Sequence, residues 1–136
     1  MSTPTIKELN DLLAIASFKA VRAQANVTAA QQVVANIVAA KDHLTQPRVF
    51  EESAAFLAQE KWLVWRHDQI AELNRELAMA LSKLAAVRKD AARETAREQV
   101  LLSLKEKQMK DGRRKIAAKA VEAQCAEATS PDARYR

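Results

Sequence analysis

From Ile6 onward, apolar side chains recur in alternating steps of three and four: Ile6, Leu9, Leu13, Ala16, Ala20, Ala23, Val27, Ala30, Val34, Ile37, Lys41 and Leu44. Lys41 is the one polar member. That spacing keeps a single stripe of an α-helix turned toward a neighbour along its whole length. Thr5 followed by Glu8 has the form of a capping box, with Thr3 before Pro4 as the competing cap. Helix 1 is therefore predicted over about 5–45. Pro47 ends it, because proline disfavours helical backbone at the residue before it and lacks the amide a helix interior needs.

A second seam comes after the proline: Val49, Glu52, Phe56, Gln59, Leu63, Arg66, Ile70, Leu73, Leu77, Ala80, Leu84, Val87 and Ala91. Helix propensity then stays high as far as Thr129, Ser130 and Pro131. These signals predict a turn over 45–48, a second helix over about 48–127, and a flexible tail over 128–136. A turn so short forces the two helices antiparallel. Aligned from the turn, Leu44 faces Val49, Lys41 faces Glu52, Ile37 faces Phe56, and Ala30 faces Leu63. Val27 then faces Arg66, and Ile6 faces Val87. In that alignment helix 1 runs out near Arg88. Some forty residues of helix 2, about 60 Å at the α-helical rise, would extend beyond it. The seam fails at the same place, since Glu94 and Glu98 come after Ala91, and Gly112 is the expected point of bending or fraying.

Composition agrees with this all-α reading of one elongated domain over residues 1–136. One glycine and three prolines leave little turn chemistry for a sheet with hairpins. Cys125 has no second cysteine to pair with, which fits a reducing compartment. No apolar run has the length of a membrane span, and the first residues lack the pattern of a signal peptide. A cytoplasmic protein is expected.

Charge changes the picture more. Residues 1–87 hold nine basic and nine acidic side chains, whereas residues 88–119 hold eleven basic and five acidic. Residues 88–119 are thus net +6 and the last seventeen net −1, so the chain's surplus of +5 rests on Arg88, Lys89, Arg93, Arg97, Lys105, Lys107, Lys110, Arg113, Arg114, Lys115 and Lys119. Val100, Leu101, Leu104 and Met109 lie among them as an apolar cluster. A basic arm with an apolar patch suits an acidic partner surface. Nucleic acid is disfavoured, because no aromatic residue is interleaved and no recognised binding module is present.

Leu57, Val64 and Trp65 fall on the side of helix 2 away from its seam, with Trp62 at the edge and Lys61 among them. Ile15 and Phe18 point outward on helix 1. Such apolar positions mark an interface in a two-helix protein. Catalysis finds no support: His43 and His67 have no third ligand for a metal, and no nucleophile has a base. No cofactor is expected either.

Three stretches carry a family resemblance. "LNDLLAIASFKAVRAQANVTAAQQVVANIVAAKDHL", "FLAQEKWLVWRHDQIAEL" and "AREQVLLSLKEKQMKDGRRK" resemble the small stalk proteins of type III export systems, of the flagellar FliJ and injectisome YscO/SctO type. The second has the family's Phe-Ile/Leu and Glu-Lys pattern at Phe56, Leu57, Glu60 and Lys61. The family's Asp-Glu pair near the end of the second helix is replaced here by "KDGRRK". The resemblance implies a non-enzymatic central stalk that couples a hexameric export ATPase to the cytoplasmic part of a membrane export gate, with export chaperones as further partners. The implied ATPase-ring contact comprises Ile6, Lys7, Arg88, Lys89, Arg93, Arg97, Leu101, Leu104, Lys105, Lys107 and Lys110. The implied gate or chaperone contact comprises Phe56 and Leu57, with Lys61, Trp62, Val64 and Trp65 beside them. The resemblance also implies a location at the cytoplasmic face of an export apparatus. The alternatives are a coiled-coil scaffold that homodimerises and a basic helix that binds nucleic acid or an anionic surface.

Overall fold

A computed structural model of the chain describes residues 3–49 and 55–129. Two helices account for nearly all of them, α1 (Ile6–Thr45) and α2 (Ala55–Ala128), and no strand occurs among the described residues. The helices pack against each other. Two compact units divide the chain: one comprises Met1–Phe18 with Thr95–Arg136, and the other comprises Lys19–Glu94.

The boundaries have local causes. At the start of α1, the Thr5 amide donates to Glu8 Oε2 and the Glu8 amide donates to Thr5 Oγ1, both at 3.2 Å. This is the reciprocal capping box expected from the sequence, and it satisfies two amides that have no partner inside the helix. At the other end, the Thr45 hydroxyl donates to the Asp42 carbonyl at 2.8 Å, two residues before Pro47. α2 closes at the threonine expected to end it, with the Thr129 amide donating to the Cys125 carbonyl at 3.0 Å. α2 begins later than about residue 48. Arg48 and Val49 are not helical, and Val49 is 96% exposed rather than packed on Leu44. Glu52, the expected partner of Lys41, lies outside the described residues.

In the Lys19–Glu94 unit, Ala23, Val27 and Ala30 of α1 form one core cluster with Leu84 and Ala91 of α2, and Val34 and Val87 are packed against it. Alanine at three of the five buried sites lets the two helices approach closely. On α1 the seam is as the hydrophobic pattern predicts, with Ala20, Val34, Ile37, Lys41 and Leu44 half-buried. On α2 it holds from Arg66 onward, with Arg66, Ile70, Leu73, Leu77, Ala80 and Val87 half-buried, but not at Gln59, which is exposed. The pairing is not as predicted. Ala30 shares a core cluster with Leu84, whereas Leu63, its expected partner three heptads earlier, is 43% exposed. Val27 correspondingly lies in an apolar cluster rather than against Arg66. Phe56 and Leu63, expected in the seam, are exposed.

Packing continues beyond Arg88. Ala91 is buried and Glu94 half-buried, so the seam does not end there. In the other unit, Leu9 and Ala16 of α1 are buried, while Ile6 at the head of the expected seam is 42% exposed. On α2 the same unit half-buries Glu98, Leu101, Leu102, Lys105, Gln108 and Gly112, which continues the three-four spacing through positions expected to be bare. Only residues 113–129 are exposed without exception. The helix passes through Gly112 unbroken and without a positive φ.

Candidate partner-binding surfaces

The residues where α1 ends and those near the start of α2 meet in the Lys19–Glu94 unit. Trp62 and Trp65, one turn apart on α2, hold their ring centroids 5.0 Å apart at an interplanar angle of 31°. The Arg48 guanidinium lies over the Trp62 ring, 4.8 Å from its centroid. A cation in that position is drawn to the electron-rich face of the indole. These side chains, with His43, Leu44, Gln46 and Pro47, line an open groove of about 460 Å³. Pro47 and Arg48 belong to the non-helical residues after α1, so the end of α1 and the segment beyond it form one wall and α2 forms the other.

A second, shallow and nearly flat groove lies on α2 itself, formed by Glu60, Lys61, Leu63, Val64, Trp65 and Asp68. Trp65 belongs to both grooves. Of the residues assigned by resemblance to a gate or chaperone contact, Lys61, Val64 and Trp65 are thus brought together in one groove, and Trp62 joins Trp65 in the other. Phe56 and Leu57 are 72% and 68% exposed and line neither. The expectation that Leu57 points outward holds, and Phe56 points outward with it. Ile15 and Phe18 on α1 are exposed as expected.

The residues assigned to an ATPase-ring contact are divided. Arg88, Lys89 and Arg93 belong to the Lys19–Glu94 unit, where all three are exposed. Ile6, Lys7, Arg97, Leu101, Leu104, Lys105, Lys107 and Lys110 belong to the other unit. There Lys7, Arg97, Lys107 and Lys110 are exposed, and Leu104 is 44% exposed beside exposed Val100 and Met109. Leu101 and Lys105 are half-buried on the seam, so their side chains belong partly to the packing of the chain itself.

Sequence reasoning did not reach His43, Gln46, Pro47, Arg48 or Asp68 as surface-forming residues. Arg48 stood inside a predicted turn, and nothing in linear spacing says that a turn residue will fold onto an indole. Among the described residues, no group of three or more His, Cys, Asp or Glu side chains is placed to hold a metal ion. No described helix is long and apolar enough to cross a membrane. Compared with family models, with curated proteins and with solved structures, the chain matches none of them.

Proposed function

We propose that this protein is a non-enzymatic stalk that couples a type III export ATPase to its membrane gate, built as an antiparallel coiled-coil hairpin whose second helix is the longer. The sequence resemblance to export stalk proteins is the starting point. One structural observation supports it above the others: the exposed aromatic face of α2 and the basic surplus occupy chemically distinct stretches of a two-helix chain, which suits a protein with two unlike partners. The hairpin reading draws on the order of contacts in the Lys19–Glu94 unit, where the end of α1 shares a groove with Trp62 and Trp65 while its middle shares a core with Leu84 and Ala91.

On this reading, the basic side chains from Arg88 to Lys110, with Ile6 and Lys7, engage the acidic surface of the hexameric ATPase. Long-range attraction steers the encounter, and exposed apolar groups such as Leu104 supply contact. Phe56, Leu57, Lys61, Trp62, Val64 and Trp65 engage the cytoplasmic part of the gate or an export chaperone. No catalytic residue, cofactor or metal enters the proposal, and the protein works at the cytoplasmic face of the export apparatus.

Pull-down with the cognate export ATPase at low salt, together with its hydrolysis rate, tests the reading. Binding and faster hydrolysis are expected, both weakening as salt rises. Absence of binding at low salt would overturn it.

A further inference from the structure

The groove on α2 is self-complementary. Lys61 and Asp68 lie on its flanks, equally far along the helix from the midpoint between Val64 and Trp65. When two copies of this segment cross antiparallel about that midpoint, Lys61 of each stands opposite Asp68 of the other, and Val64 of each stands opposite Trp65. Glu60 then stands opposite Gln69, and no two like charges face each other. A parallel crossing would set Lys61 against Lys61 and Asp68 against Asp68. Among the described residues, neither Lys61 nor Asp68 is held in an ion pair, so both remain available to a neighbour.

The geometry points to a second copy of this chain as the occupant of the groove lined by Lys61, Val64, Trp65 and Asp68, in a twofold-symmetric, antiparallel contact. An isologous interface requires that one patch complement itself, and a pattern of cation, apolar centre and anion along one helix meets that requirement. Val64 and Trp65 are 64% and 47% exposed, so the apolar centre is available to be covered. A tryptophan at such a centre is the residue type that most often carries binding energy. The flanking pairs then set orientation and register. Few residues contribute from each copy, so the dimer is small and reversible. It covers Lys61, Val64 and Trp65, the residues assigned above to a gate or chaperone, and self-association therefore competes with that docking.

The test is sedimentation equilibrium of the purified full chain over a wide concentration range, which needs no export component and reads out independently of the export reading. The wild type is expected to pass from monomer to dimer as concentration rises. Lys61→Glu and Asp68→Lys each set like charges across the crossing and are expected to weaken the dimer about tenfold or more. An equimolar mixture of the two single variants, and the double variant Lys61→Glu/Asp68→Lys alone, are expected to recover it, because both restore opposite charges. Circular dichroism confirms that each variant keeps its helix content. A wild type that stays monomeric at every concentration overturns the inference. So do single variants that dimerise like the wild type, or a mixture that fails to recover the dimer.

Discussion

Arg48 lies over the face of Trp62 with 4.8 Å between the guanidinium carbon and the ring centroid, tying the residues just after α1 to the side of α2. The contact holds the backbone at Arg48, just past the end of α1, against the side of α2. Arg48→Ala removes the cation and leaves the Trp62–Trp65 pair more accessible. We expect a loss of about 0.5–1 kcal/mol, the usual value of an exposed cation–π contact. Acrylamide quenching of tryptophan fluorescence should increase, while far-ultraviolet circular dichroism stays the same.

Leu84 and Leu63 distinguish two registers that differ by three heptads. Leu84 is 6% exposed within the core cluster, whereas Leu63 is 43% exposed. Leu84→Ala should cost about 2–5 kcal/mol through lost burial and the cavity left behind. Leu63→Ala should cost about 1 kcal/mol or less. Urea denaturation of the two variants gives the comparison directly.

Proximity provides a second check on the same register. In a Cys125→Ser background, which removes the exposed native thiol, Ala30→Cys with Leu84→Cys should be joined within one chain by a short bis-maleimide. The pair Ala30→Cys with Leu63→Cys should not. Mass spectrometry of the linked peptides distinguishes the outcomes.

The capping box at Thr5 and Glu8 predicts a graded series. Thr5→Ala loses the acceptor for the Glu8 amide and should cost about 1 kcal/mol, whereas Thr5→Ser keeps it and should cost little. Glu8→Gln retains an acceptor for the Thr5 amide and should fall between them. The shift in urea midpoint at constant slope measures each.

Gly112 offers a gain. It sits in helical backbone, and an added Cβ would meet nothing within 4 Å. Gly112→Ala should therefore stabilise the chain by about 0.5–1 kcal/mol, because alanine loses less backbone freedom on entering a helix. A rise in thermal midpoint with no loss of helix signal is the expected result.

Much of this protein was legible in one dimension. The capping box, the end of α1 before Pro47, the close of α2 at Thr129, and the seam positions from Leu9 to Leu44 and from Arg66 to Ala91 come from residue type and three-four spacing. Those signals are local: a hydroxyl reaches an amide three residues away, and a helix face is set by its own periodicity. The outward orientation of Val64 and Trp65 arises in the same way. Which seam residue meets which does not. Sliding one helix past another by whole heptads leaves every seam residue on the seam, so Ala30 can face Leu63 or Leu84 without any change in pattern. Only packing in three dimensions bears on the choice, where Val27 lies in an apolar cluster with Leu84 and Val87 rather than opposing Arg66. Tertiary packing likewise put Arg48 on Trp62 and, in the other unit, half-buried Leu101, Lys105 and Gly112. Periodicity determined the faces of the helices, and side-chain complementarity across the contact decided their register.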